Sequence, residues 1–371
     1  MPEPFKNHFH PGFTRALANA IRAVYPAFDT EAFFASVHDE QWEARELKAR
    51  MRHMTVCLRA FLPDDYRSAL AILRALEPPP DRYRLALLVL PDFVEVYGLA
   101  DWDASIAALE QFTQQSTAEF AVRPFIIADQ PRMMEQMLRW AGHENEHVRR
   151  LASEGCRPRL PWGVALPALK RDPTPILPVL ERLKNDESEY VRRSVANNLN
   201  DIAKDNPDIA LATLRRWNRE HGEGVRWVVA HGLRTLVKEG NRDALALLGY
   251  EADGGFALND LTVTPDTVRV GENITLRFAV ENRAGAPLNL MIDYIIHHAR
   301  ANGKRSPKVF KLTKRTLAPG ERVEIRRQHS FRPVTTRRYY AGEHVAEIQI
   351  NGVVCGSAPF MLVDAPDGER A

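Results

Sequence analysis

Stacked helical pairs followed by an all-β sandwich make up the fold class this sequence predicts, on three observations. Residues 1 to about 250 carry apolar side chains at helical i, i+3, i+4 spacing. Within that region, three segments repeat one pattern. From about Gly255 onward the apolar period shortens to two, in short runs separated by turn residues. A chain of 371 residues with 45% apolar and 26% charged side chains is long enough for two or three ordinary globular domains.

Taken in order, residues 14–25 and 30–61 show the helical spacing, and shorter runs follow at 66–76, 83–90, 102–112 and 133–140. Prolines at 63, 78–80, 91, 124 and 131 punctuate them. The repeat then appears as NEHVRRLASEG from Asn145, SEYVRRSVANN from Ser188 and GEGVRWVVAHG from Gly222, at spacings of 43 and 34. Each holds Val then Arg, followed by small apolar residues and a polar position. This is the HEAT-like pattern of a helical solenoid, whose curvature offers a long binding surface. The alignment also puts Glu154, Asn197 and His231 at one equivalent position, on one face of successive helices.

The texture changes at 247–255 (LLGYEADGG). About seven short strands follow over roughly 105 residues, the length and spacing of an immunoglobulin-like sandwich. The expected boundaries are 1–252 for the helical domain and 257–365 for the sandwich. The three cysteines, Cys57, Cys156 and Cys355, are far apart and odd in number, so a disulfide framework is not expected. No apolar run spans a membrane, and the N-terminus lacks a secretory signal, which together point to the cytoplasm.

The net charge of +2 hides an asymmetry. Residues 300–338 hold 13 basic side chains against Glu321 and Glu324 alone. Such a field is either the footprint of phosphate binding or the solvated face of a hairpin. Metal signatures are absent: His8 and His10 lie near a terminus expected to be mobile, and adjacent His297 and His298 point to opposite faces of a strand. No Gly-rich phosphate loop or nucleophile elbow occurs.

Four polar points on the helices stand out. VRRLASEGCRPRLPW, residues 148–162, starts as a helix and is stopped by Pro158 and Pro161. It should carry Glu154 at a helix end and present Arg157, Arg159 and Trp162 on a rigid turn. Glu154 and Arg157 are either a surface ion pair or part of a site. Asp201 lies one turn beyond Asn197 and Asn198, in a helix otherwise rich in apolar residues. These three are either site residues or an inter-repeat hydrogen-bond ladder. Glu119 follows a Ser/Thr-rich helix start, where the helix dipole alone favours an acid. Trp162, between prolines, is either a packing anchor or a ring that meets a ligand.

VRRLASEGCRPRLPW, SVANNLNDIAKDNPD and HGLRTLVKEG resemble the AlkC/AlkD superfamily of bacterial DNA alkylation-repair glycosylases over residues 1 to about 250. ELKARMRHM from Glu46 and STAEFAVRPF are similar to the AlkC branch, some of whose members carry a C-terminal immunoglobulin-like domain like the stretch 258–363. The resemblance implies hydrolysis of the N-glycosidic bond of cationic alkylated bases in duplex DNA. 3-Methyladenine stands foremost, with 3-methylcytosine and 1-methyladenine as further substrates. No conventional base flipping is implied. It implies Glu154 and Asp201 closest to the chemistry, Glu119 in support and Trp162 facing the sugar or lesion. Arg149, Arg157, Arg159 and Asn197 become DNA contacts, and Lys304, Arg305, Lys308, Arg337 and Arg338 grip the duplex from the second domain. No lysine stands out as a Schiff-base nucleophile, so the enzyme would be monofunctional, monomeric, without metal or cofactor, and used at the nucleoid. The competing readings are a non-catalytic HEAT-repeat scaffold binding DNA or protein, and a DNA sensor with a dead site.

Overall fold

The amphipathic spacing of the first 250 residues folds as sixteen α-helices in a computed structural model that describes residues 3–77, 83–220, 222–334 and 338–364. In chain order they are α1 (Pro11–Val24), α2 (Thr30–Val37), α3 (Leu47–Ala60), α4 (Tyr66–Arg74), α5 (Val89–Tyr97), α6 (Trp102–Phe112), α7 (Arg123–Ala128) and α8 (Gln130–Trp140). There follow α9 (Glu146–Glu154), α10 (Pro167–Arg171), α11 (Leu177–Leu183), α12 (Glu189–Asp205), α13 (Pro207–Asn218), α14 (Glu223–Gly232), α15 (Arg234–Lys238) and α16 (Arg242–Leu247). The described residues divide into two units, 1–210 with 219–232, and 211–218 with 233–371.

Local chemistry explains where the helices depart from the sequence pattern. The continuous helix expected over 30–61 breaks at 38–46, because Asp39 turns the chain. Its carboxylate accepts from Gln41 N at 3.1 Å and pairs with Arg45, while Trp42 tucks into the core. The helix expected over 83–90 instead begins at Val89 and takes Pro91 into its first turn, where a missing N–H costs nothing. Pro124 and Pro131 likewise start α7 and α8. His10, expected to be mobile, caps α1: its Nδ1 accepts from Gly12 N at 3.1 Å and Phe13 N at 3.4 Å.

The three repeat segments form α9 and α14 and the first half of α12, with α12 packed between the other two. Val148, Leu151, Val191, Val195, Val225 and Val228 are buried along their contacts. The arginine after each of the first two valines makes the same kind of contact. Arg149 reaches back to the carbonyls of His143 and Glu144, and Arg192 to those of Asp186 and Glu187. Each guanidinium thus satisfies carbonyls of the loop that precedes its own helix.

The second unit carries eight strands: β1 (Phe256–Thr264), β2 (Thr267–Arg269), β3 (Asn273–Asn282), β4 (Leu288–Ala299), β5 (Arg305–Leu317), β6 (Arg322–Ser330), β7 (Gly342–Ile350) and β8 (Val353–Val363). They form a three-stranded sheet, β1-β3-β6, and a five-stranded sheet, β2-β8-β7-β4-β5. Seven of the eight coincide with the alternating runs in the sequence; the short β2, parallel to β8, is the addition. Alternate residues of β3, β4 and β7 (Ile274, Leu276, Phe278; Ile292, Tyr294, Ile296; Ala346, Ile348, Ile350) fill one core. His297 pairs outward with Glu347 at 2.8 Å while His298 is buried, so the two do face opposite ways. Among the described residues no helix is long and apolar enough to cross a membrane.

Candidate active site

α9 ends on Glu154, and the packing behind it leaves no room at the next position for anything larger than glycine. A Cβ on Gly155 would lie 2.6 Å from Val122 Cγ2. The turn that follows is held from below by Arg123, which is only 1% exposed. Its guanidinium donates to the carbonyls of Gly155 and Arg157, both at 3.0 Å, and to that of Val164. Burial pulls the Arg123 pKa down to about 10, still well above neutrality. The proline-bounded corner is therefore fixed by a buried cation as well as by its prolines.

On that corner Arg157 is buried between two acids. Its Nη1 donates to Glu154 Oε1 at 2.6 Å, its Nε to Asp201 Oδ2 at 2.8 Å, and its Nη2 lies 2.7 Å from the same Oδ2. Burial works against its charge, but Glu154 and Asp201 outweigh burial and push its pKa above the usual value. Asp201 Oδ1 also accepts from Lys204 Nζ at 2.9 Å, and Glu154 Oε2 from Ser194 Oγ at 2.6 Å. Both acids have both oxygens committed.

Arg150 extends the network to the third acid. Its Nη1 lies 2.5 Å from Glu119 Oε2 and its Nη2 3.3 Å from Glu154 Oε1, with the ring of Tyr190 5.2 Å from its Cζ. Burial opposes its charge too, but Glu154 and then Glu119 raise its pKa. Glu119 Oε2 accepts as well from Thr117 Oγ1 at 2.9 Å. Glu119 Oε1 has no hydrogen-bond partner among the described residues, and the side chain keeps 12% of its surface open. Three carboxylates and three cations, Arg150, Arg157 and Lys204, thus form one chain, with a single carboxylate oxygen left open at one end.

The structure therefore brings Glu119, Glu154, Asp201 and Arg157 together. Trp162 stands on the same turn, 60% exposed, with a positive φ of 62°. Phe5 meets its ring edge-on at 5.8 Å, and Lys48 Nζ donates to its carbonyl at 3.0 Å. Arg159 is half-exposed and bidentate on Asp205, both bonds 2.6 Å. Asn197 lies in the next layer, its Oδ1 3.3 Å from His231 Nε2, while Asn198 is buried and donates to Ser153 O at 2.8 Å. Asn198 thus bonds across to the neighbouring repeat as a ladder residue does, while Asp201 lies beside Arg157.

Arg149 lies apart from the acids. It is buried, bidentate on Asp186 at 2.7 and 3.0 Å, and that bond raises its pKa. In the second unit, Lys304, Arg305, Lys308 and Arg338 lie on or beside the β4–β5 hairpin or the chain before β7, and Arg305 is paired with Glu343. Arg337 falls outside the described residues. Arg150, Ser194, Thr117 and Arg123 were missed in the sequence. Arg150 left a trace, four residues before Glu154 on one helix face, and so did Thr117, two residues before Glu119; Arg123 and Ser194 act across sequence distances of 30 residues or more and left none.

A model of the DNA alkylation repair enzyme family matches residues 81–233, and a model of the C-terminal Ig-like domain of the uncharacterised protein YhaZ matches residues 257–364. The chain is 45% identical over 346 residues to the uncharacterized protein YhaZ of Bacillus subtilis (strain 168), covering 93% of this chain and 96% of that protein. Among solved structures it is similar to the Pseudomonas fluorescens alkylpurine DNA glycosylase AlkC bound to DNA containing an abasic site analog. That match has a TM-score of 0.88 and 40% identity, over 97% of this chain and 100% of the other.

Proposed function

The chain belongs to the family of AlkC-type DNA alkylation-repair glycosylases with a C-terminal immunoglobulin-like domain, and from that premise we propose its reaction, substrate and site residues. The reaction is hydrolysis of the N-glycosidic bond of a cationic N-alkylated base, 3-methyladenine foremost, in duplex DNA, without conventional base flipping. Residues 1–252 do the chemistry, and residues 257–365 bind DNA in support. The enzyme acts as a cytoplasmic monomer and uses water alone, with no cofactor.

One observation carries this reading: three carboxylates joined by cations, with Glu119 Oε1 open. Alkylation at N3 gives the base a positive charge, so it leaves as a neutral molecule and needs little acid catalysis. The deoxyribose becomes oxocarbenium-like as the bond stretches, and a fixed carboxylate beside C1′ stabilises that charge. Glu119, with an oxygen free, orients the attacking water and meets the developing cation. Glu154 and Asp201, with no free oxygen, hold the field and the position of Arg150 and Arg157. This reverses the order of the acids expected from the resemblance, which put Glu154 and Asp201 closest to the chemistry. Trp162 lays its exposed ring against the sugar or the lesion, where a cation is favourably met.

The same geometry sorts the expected DNA contacts. Arg149 and Arg157 are consumed inside the protein and serve the frame. Arg159 and Asn197 keep exposed surface for the phosphodiester backbone, and Lys304, Arg305, Lys308 and Arg338 for the second domain's share. The deciding assay is release of free 3-methyladenine from methylated DNA by the pure protein. Release, leaving an unbroken abasic strand, is expected. Absence of release where the protein binds the same DNA overturns the reading in favour of a scaffold.

A further inference from the structure

At one end of the five-stranded sheet, the β4–β5 turn and the chain that precedes β7 border a cavity of about 610 Å³. Arg300, Lys308 and Arg338 stand on its walls with Asn302 and Tyr340, and no acidic residue lines it among the described residues. These three cations differ from their neighbours. Arg300 donates to Ser306 Oγ at 2.7 Å, Lys308 lies 5.4 Å from the Phe310 ring, and Arg338 lies 5.5 Å from the Tyr340 ring. None has an acidic partner among the described residues, whereas Arg277, Arg305 and Arg322 of the same unit each meet a carboxylate.

Three cations around one concavity repel one another unless an anion sits between them. Guanidinium groups match the oxygens of a phosphate two at a time, and an ammonium adds a point charge. Tyr340 adds an aromatic face beside Arg338, suited to a sugar or a base. The volume exceeds what a bare phosphate fills. We propose that this cavity binds a nucleotide phosphate ester, its phosphate among Arg300, Lys308 and Arg338 and its sugar or base against Tyr340. The ester is a link of a DNA strand or a free nucleotide; the DNA source rests on the glycosylase reading.

Two titrations of the full chain test it, one with a short undamaged duplex and one with thymidine 5′-monophosphate. Ala301→Trp fills the cavity without changing charge, and Arg300→Ala removes one wall cation; circular dichroism checks that each folds. Lys314→Ala, outside the cavity on β5, controls for loss of general positive field. With a DNA occupant, both cavity variants weaken duplex binding roughly tenfold, and the salt slope falls by about 0.9, the value of one phosphate contact. Lys314→Ala has a smaller effect on affinity. With a free nucleotide as occupant, thymidylate binds the wild type and loses affinity in both cavity variants while duplex affinity holds. Wild-type affinity of both cavity variants for both ligands overturns the proposal, as does equal weakening by Lys314→Ala and Ala301→Trp. Neither titration contains a lesion, so the outcome is separate from 3-methyladenine release, whose absence would sink only the glycosylase reading.

Discussion

The two units handle charge in opposite ways. In the helical unit, Glu119, Arg150, Glu154, Arg157, Asp201 and Lys204 alternate in sign along one chain of contacts, and most of their surface is buried. In the strand unit, Arg300, Lys308 and Arg338 stand around open space with no acid between them. A buried charge without a partner costs several kcal/mol, so the first arrangement is compulsory where water is excluded. The second is tolerable only where water or an anionic ligand reaches every charge. The contrast separates two tasks: fixing carboxylates rigidly where charge develops, and capturing a polyanion that brings its own negative charge.

The largest effect that would break this picture concerns the open end of the network. Glu119→Gln should lower excision on the order of 10²–10³-fold, as loss of a transition-state contact does. Its loss of stability should be smaller than that of the two inner acids, because Thr117 and Arg150 can still donate to the amide oxygen and Arg150 keeps Glu154. Glu154→Gln and Asp201→Asn should lose excision and also stability, by roughly 3 kcal/mol in denaturant titration, since each leaves the buried Arg157 short of a partner. DNA affinity should hold in all three. Equal stability losses in Glu119→Gln and Glu154→Gln would show that the network has no open end.

Next in size is Arg150, which joins Glu119 to Glu154. Arg150→Lys keeps the charge but not two-way hydrogen bonding, and Arg150→Ala removes both. Without the guanidinium, Glu119 loses the ion pair that fixes its orientation. Excision by Arg150→Ala should therefore fall on the order of 10²-fold, as misplacement of a reacting group does, with Arg150→Lys between. Wild-type excision by Arg150→Ala would reduce Arg150 to packing.

Trp162 tests the exposed side of the site. Its backbone sits in the left-handed region, which costs a non-glycine residue about 1–2 kcal/mol. Trp162→Gly should melt no lower than wild type, since relief of strain offsets loss of the edge-on contact with Phe5, yet excise more slowly. A marked fall in melting temperature would make the indole a structural anchor after all.

The smallest effect is at Arg159, which holds the Asp205 carboxyl below its usual range by hydrogen bonding. A depressed folded pKa gives stability above the unfolded value, near 3.8, that is lost as pH falls through the folded one. Arg159→Ala should begin acid unfolding at a higher pH, by about 0–1 kcal/mol of stability for so exposed a pair. Circular dichroism between pH 6 and 2 reads it directly.

Local pattern determined a good deal of this protein without help. Period-3.6 spacing gave the helical character of the first 250 residues, and period-two runs gave seven of the strands, because apolar residues must face a core whichever core it is. Pro158 and Pro161 ended α9 where expected, since a ring closed on the backbone acts within its own residue and the one before. The repeat, read from three valine–arginine pairs, aligned Glu154 with Asn197, one turn before Asp201, and the fold packs α9 against α12. What pattern could not give was which partner each charged group takes. Arg149, Arg157 and Arg159 look alike in the sequence, yet one caps carbonyls, one lies buried between acids and one is half in solvent. Glu119 reads as an ordinary helix-start acid until Arg150, 31 residues away, takes one oxygen and leaves the other open. Arg300, Lys308 and Arg338 become a cavity only when strands distant in sequence set their spacing. Backbone preference is decided within a few residues; desolvation and ion pairing are decided by whatever the fold brings within a few ångströms.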